Sequence, residues 1–238
     1  MEPQVYSFLL QHKDFCKLTD PLEDANTQEI LISTFSWLSL SEITTLSSRK
    51  KKPQKRSFLI SRYVIKKVIA DKFEINIEDL NIEWNESSEI MQITYLGSVL
   101  PVCISLSHCK DKVLVSLLFD STSAPLGVDV EKINIKRNTK EIADCYFNSE
   151  EADQLTLSNE PKPLFYRQWT EKEALIKALP TKLFPRLSNL SRTTLNQFDL
   201  LSSFISFEGF QICIVTSSKM AIKPLCIYPT FEQFYDEV

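Results

Sequence analysis

Asp129 and Glu131 stand two residues apart in Gly127-Val128-Asp129-Val130-Glu131-Lys132, a stretch whose alternation reads as a β-strand. In a strand, residues i and i+2 face one side, so the two carboxylates project together while Val128 and Val130 face the other way. Carboxylates this close repel unless a cation lies between them or one binds a proton. A strand with one solvated acidic face fits the same pattern. A second cluster is Trp169-Thr170-Glu171-Lys172-Glu173-Ala174-Leu175-Ile176-Lys177-Ala178. At helical spacing, Trp169, Lys172, Glu173, Ile176 and Lys177 fall within roughly 140° of one face. That mixture is neither a clean core stripe nor an ordinary surface, although a Glu173–Lys177 surface pair beside a core Trp accounts for it too. A third is Ile104-Ser105-Leu106-Ser107-His108-Cys109, at the end of an apolar run. Ser beside His invites a hydrolase reading, but no G-x-S-x-G surrounds either serine. A hydrogen-bonded structural His fits as well.

The rest of the composition narrows the chemistry. The 238 residues include three glycines, Gly97, Gly127 and Gly209. Phosphate-binding glycine loops need glycines clustered within about six residues, so that backbone N–H groups can approach the phosphate; none can exist here. Two histidines, His12 and His108, exclude H-E-x-x-H and multi-histidine zinc sites. Phosphate chemistry in this chain would therefore rest on side chains and a metal ion. A net charge of −4, from 27 Lys and Arg against 31 Asp and Glu, argues against a general nucleic-acid binder. Positive charge is nevertheless concentrated: between Ile43 and Ala70 there is no acidic residue, while Arg49, Lys50, Lys51, Lys52, Lys55, Arg56, Arg62, Lys66 and Lys67 are all basic. The six cysteines contain no C-x-x-C pair, and neither a signal peptide nor a membrane-length apolar run is visible. Free thiols in a reducing cytoplasm are the expectation.

These residues need elements to position them. Pro53 opens a helix expected through residue 72, with Phe58, Ile65, Val68 and Ile69 on its inner face and Lys55, Arg62 and Lys66 sharing another side. Strands are expected over 89–96, 102–107, 112–119 and 126–133. Helices follow over 139–144, 149–155 and 162–179, and then strands near 203–207, 211–217 and 223–228. Residues 1–48 carry apolar pieces but no motif. Helix followed by antiparallel strands, twice, predicts an α+β protein of two similar lobes related by a pseudo-twofold. Each lobe pairs an antiparallel sheet with a long helix. The first spans 1–120, with the basic helix and the S-x-S-H strand; the second spans 121–238, with the acidic strand and the W-x-x-K-E-A helix. The site would lie at their interface.

S-x-S-H, then G-V-D-V-E-K, then W-T-E-K-E-A-x-x-K, in this order and spacing, resembles the Sfp-type 4′-phosphopantetheinyl transferases, from about Arg49 to Ala178 by motif. The resemblance implies Mg²⁺-dependent transfer of phosphopantetheine from coenzyme A to a serine of an apo acyl or peptidyl carrier protein, releasing 3′,5′-ADP. It implies Asp129, Glu131 and Glu173 as Mg²⁺ ligands. It makes Glu173 the base for the carrier serine, directly or through a metal-bound water, and Lys177 the partner of the departing phosphate. By the same resemblance Lys172 helps hold the phosphates, Ser107, His108, Arg56 and Arg62 contact the 3′-phosphate, and Trp169 anchors its helix. Gly97-Ser98-Val99-Leu100-Pro101 departs from the family's Gly-Lys/Arg-Pro by lacking the basic residue. Lys136, Arg137 and Lys140 are candidate contacts for an acidic carrier. A cytoplasmic monomer, independent of membranes and nucleic acid, is the expected form. The competing reading is a non-catalytic module that binds coenzyme A or nucleic acid through the basic stretch.

Overall fold

The computed structural model describes residues 4–23, 27–87, 90–179 and 187–236. Strand β1 (Gln4–Gln11) is followed by helices α1 (Cys16–Thr19), α2 (Gln28–Thr34), α3 (Leu40–Ser48) and the long α4 (Lys52–Phe73). Next come β2 (Leu80–Asn85), β3 (Ile90–Tyr95), β4 (Ser98–Val99), β5 (Val102–Cys109), β6 (Lys112–Phe119) and the acidic strand β7 (Leu126–Lys132). Helices α5 (Thr139–Tyr146), α6 (Ser149–Leu157), α7 (Pro161–Ala178) and α8 (Arg192–Gln197) lead to β8 (Leu200–Phe207) and β9 (Phe210–Ser217). Two-residue strands β10 (Ala221–Ile222) and β11 (Cys226–Ile227), then α9 (Phe231–Asp236), complete the described chain.

The protein is α+β, and its strands form three sheets. The largest has the order β10-β1-β6-β5, with β11 also on β1; the others are β2-β3-β4 and β7-β9-β8. Pairings within β1-β6-β5 and β7-β9-β8 are antiparallel, whereas β10 and β11 join β1 in parallel. Alternation along the strands gives the large sheet two buried faces. Ile104, Val113, Val115 and Leu117 pack under α4 against Ile60, Val64 and Ile65. The opposite face carries Val5, Leu9, Leu114 and Leu118, which pack against Val128, Val130, Ile212 and Ile214 of the third sheet. On the far side of that third sheet, Cys213 and Val215 meet Ala174 and Leu175 of α7. The layers therefore run α4, large sheet, small sheet, α7.

Helix α4 follows the expected bounds because Pro53 occupies its first turn and no Gly or Pro interrupts it. Its basic side is not uniform. Lys66 has 0% exposure and is paired with Glu42 at 2.7 Å and with the Trp37 carbonyl at 2.7 Å. It is a structural cation, not part of an exposed face shared with Lys55 and Arg62. The tail also departs from expectation. The sequence pattern assigns residues 223–228 to the second lobe, but β10 and β11 cross back to β1, and Phe231 packs on Phe15 and Tyr63. The strand expected at 89–96 is observed as β3, paired with β2 in a sheet of its own.

Candidate active site

Two elements bring the catalytic candidates together. Asp129 and Glu131 project from β7 toward α7, on the side opposite Val128 and Val130. Helix α7 sits against this strand because Gly127 leaves no side chain between them: an added Cβ would lie 1.8 Å from the Ala174 carbonyl oxygen. Glu173 and Lys177, one turn apart, then face the acidic residues. Lys177 Nζ donates to Asp129 Oδ1 at 2.9 Å and to the Val128 carbonyl at 2.9 Å. Asp129 is 5% exposed; its Oδ1 also accepts the Ser107 hydroxyl at 2.7 Å, while its Oδ2 is buried without a partner.

The carboxylates feel one another. Burial, then the charge of Asp129, pushes Glu131 above the usual carboxylate range, with Arg137 opposing. Glu173 rises for the same reasons, burial and then Asp129, against the pull of Lys177. Arg137 Nη1 lies 3.4 Å from Glu131 Oε2 and its guanidinium stands over the Trp169 ring. Among the described residues, no three His, Cys, Asp or Glu side chains are gathered tightly enough to hold a metal ion on protein donors alone. A hard ion such as Mg²⁺ asks less of the protein: it is typically bound by one or two carboxylates together with phosphate oxygens and water. The all-oxygen donor set and the unpartnered Asp129 Oδ2 fit that ion.

Two cavities adjoin the cluster, and both are lined in part by Met91 and Leu106. One, of about 230 Å³, lies between α4 and β5 and is bordered by Arg49, Ser57, Phe58, Ser61, Arg62 and His108. Arg49 and Arg62 both stand over the Phe58 ring, 4.9 Å and 4.6 Å from its centroid. The Nε of each is buried without a hydrogen bond, although Arg62 lies 3.4 Å from Glu42 Oε1. Burial holds the Arg62 guanidinium down to about 10, with Arg49 adding repulsion. His108 is lowered too, by burial and then by Lys177 and Arg49. Two guanidiniums sharing one ring, with an imidazole nearby, make a focused positive field suited to a phosphate. The other cavity, of about 450 Å³, is mostly apolar and is bordered by Cys103, Ile104, Leu126, Ile176 and Leu179, with Lys177 in its wall.

The residues singled out from sequence thus divide. Asp129, Glu131, Glu173 and Lys177 converge, and Arg62 and His108 share the smaller cavity. Ser107 borders that cavity, but its hydroxyl is engaged with Asp129 and with the Val130 N–H. Ser107 and His108 are consecutive on β5, and both border this cavity. Arg56 stands outside the cavity lining, and its charge is felt at His12. Lys172 is turned away from the cluster. It is 1% exposed, pairs with Glu151 at 2.8 Å and donates to the carbonyls of Leu187 and Leu190, so it cannot also hold a phosphate. Burial, opposed by Glu151, lowers its ammonium. Arg49 is visible in sequence only as one member of a basic run, and its place over Phe58 comes from the turn between α3 and α4.

The model of the 4′-phosphopantetheinyl transferase superfamily matches residues 125–223, from just before β7 through β10. On that stretch the chain is similar to the superfamily. A comparison with curated proteins finds no match. No helix among the described residues is long and apolar enough to cross a membrane.

Proposed function

We propose that this protein is a phosphopantetheinyl transferase, which moves 4′-phosphopantetheine from coenzyme A to a serine of an apo acyl or peptidyl carrier protein and releases 3′,5′-ADP. The observation that carries the reading is Asp129, fixed through Oδ1 by Ser107 and Lys177 with Oδ2 buried and unpartnered, inside the stretch that matches the superfamily. The Sfp-type order of motifs supports the choice of carrier proteins as acceptors.

Asp129, Glu131 and Glu173 would hold Mg²⁺ with the diphosphate of coenzyme A. When bound, the ion supplies neutralisation of the charge that develops on the phosphate oxygens. The remaining work falls to the chain itself. Arg49, Arg62 and His108 orient the phosphorylated nucleotide from the smaller cavity. The apolar cavity beside Lys177 takes the pantetheine arm, so the scissile diphosphate lies between the two. Glu173, with its carboxylate raised by burial, is the base that removes the proton of the incoming serine. Lys177 stabilises the departing phosphate of 3′,5′-ADP. Arg137 and its neighbours Lys136 and Lys140 face an acidic carrier. The enzyme would work as a cytoplasmic monomer.

The test is incubation with coenzyme A, Mg²⁺ and a panel of apo carrier proteins, read by mass spectrometry. The expected result is one phosphopantetheinyl group added to the carrier serine, lost in Asp129→Ala and Glu173→Ala. Transfer that survives either substitution refutes the assignment. Failure to transfer to any carrier, combined with steeply salt-dependent nucleic-acid binding, points instead to a binding module.

A further inference from the structure

Strands β5 and β7 are not paired by their backbones, yet they are joined. The side chains of Ser105, Ser107 and Cys109 leave one face of β5 at every second residue. Each meets a backbone N–H that points outward from the edge of the β7 sheet. Ser105 Oγ accepts from Val128 at 3.0 Å, Ser107 Oγ from Val130 at 3.3 Å and Cys109 Sγ from Lys132 at 3.3 Å. As acceptors the two serine rungs are equivalent, and the thiol is a weaker third. They differ in what each group's own proton meets. Preceding Val128 is Gly127, which offers no side chain. Preceding Val130 is Asp129, and Ser107 donates to its Oδ1 at 2.7 Å. Preceding Lys132 is Glu131, which Cys109 Sγ approaches at 4.0 Å, a weak contact.

A hydroxyl has one proton to give, and that of Ser107 goes to Asp129. The serine is therefore tied at once to the backbone after Asp129 and to one oxygen of its carboxylate. With Lys177 on the same oxygen, the carboxylate cannot exchange its two oxygens by rotation without breaking both bonds. The orphan Oδ2 is thereby the oxygen left for a cation.

We infer that Ser107 is a positioning residue for Asp129: its hydroxyl orients the carboxylate that binds the divalent ion, and it does not contact the nucleotide phosphate. This rests on the proposal that Asp129 is a metal ligand. Ser105, on the same ladder but facing Gly127, is the built-in control.

The experiment measures Mn²⁺ binding to the full chain in the presence of coenzyme A, by electron paramagnetic resonance of the free ion, alongside KM for coenzyme A and the melting temperature. Ser107→Ala should weaken Mn²⁺ binding about 10–100-fold and leave KM for coenzyme A unchanged at saturating metal. Ser105→Ala should lower the melting temperature as Ser107→Ala does, because each strands one N–H, yet retain Mn²⁺ affinity. Should Ser107→Ala fail to fold, the near-isosteric pair Ser107→Thr and Ser107→Val decides: Thr retains Mn²⁺ affinity and Val loses it. Undiminished Mn²⁺ binding with a raised KM for coenzyme A makes Ser107 a substrate contact and overturns the inference alone. Equal loss in the Ser105 and Ser107 variants reduces both to structural rungs and likewise overturns the inference alone. A wild-type protein that binds no Mn²⁺ overturns the metal reading of the cluster and this inference with it.

Discussion

Gly127→Ala adds one methyl group at the point where α7 meets the acidic strand. The new Cβ would lie 1.8 Å from the Ala174 carbonyl oxygen and 2.7 Å from the Ala178 nitrogen. Both are backbone atoms of α7, so no side-chain rotation relieves the overlap. The backbone at Gly127 does not need a left-handed conformation; what the glycine supplies is room. To restore an ordinary contact of 3.4 Å from 1.8 Å, the helix must withdraw by about 1.6 Å. Ala174 directly follows Glu173 and Ala178 directly follows Lys177, so this withdrawal acts on the proposed catalytic residues and not at a distance from them. Overpacking of this kind costs about 1–3 kcal/mol of stability. A misplacement of about 1 Å in a reacting group costs on the order of 100-fold in rate. The expected outcome is a folded protein with a lowered melting temperature and carrier modification slowed about 100-fold. Binding of 3′,5′-ADP should fall far less than the transfer rate, because Arg49, Arg62 and His108 line a cavity between α4 and β5 and none of them is carried by α7. Stopped-flow or quenched-flow transfer assays and calorimetric 3′,5′-ADP titration read the two effects separately. Wild-type transfer rate and melting temperature in Gly127→Ala would refute the seating of α7 on β7 and the role of the glycine with it.

Other substitutions separate the functional cations from the structural ones. Arg49→Ala should raise KM for coenzyme A by roughly 10–100-fold, the worth of a charge-assisted hydrogen bond of about 1.5–3 kcal/mol, and leave KM for dephospho-coenzyme A unchanged in parallel kinetics. Lys172→Met breaks a buried pair with Glu151; the expected loss is about 3–5 kcal/mol of stability in urea unfolding, with 3′,5′-ADP affinity unaltered. His12, held below its ordinary 6.5 chiefly by burial, binds fewer protons folded than unfolded. Its contribution therefore lowers stability as pH falls below about 6.5. His12→Gln, which can keep the bond to Ser57, should flatten that part of the urea-midpoint profile against pH.

The elements of the proposed site were legible because their patterns are local. Pro53 marks the start of α4, and two-residue alternation reveals β7 with its paired carboxylates. The mixed face of α7 distinguishes that helix from a core helix. What escaped was long-range. Strand β1 lies in the middle of the large sheet, with Val5 and Leu9 buried on one face and Leu10 on the other, so its apolar residues carry no clean period. Strands β10 and β11 contain two residues each, too few for any pattern, and their pairing with β1 joins the two ends of the chain. Lysines mislead for the same reason. Lys172 looks like a phosphate contact, and Lys66 like one more cation on the basic side of α4, until Glu151 and Glu42, remote in sequence, are seen beside them. Ser105 and Ser107 follow strand spacing, but nothing local shows that their partners are the N–H groups of another sheet.

The ladder from β5 to β7 also bears on how the protein avoids sticking to itself. Sheet β7-β9-β8 ends in β7, and that rim displays a row of backbone donors at Val128, Val130 and Lys132. Such a rim, flanked by apolar side chains, is a template for a foreign strand. In this chain two serines and a cysteine occupy the donors, and side chains, unlike a strand, offer no further rim for growth. A fragment beginning near residue 121 would lose that cover and would be expected to pair rim to rim with its own copy. The N-terminal half then does more than border the proposed site: through β5 it covers the free edge of the acidic strand.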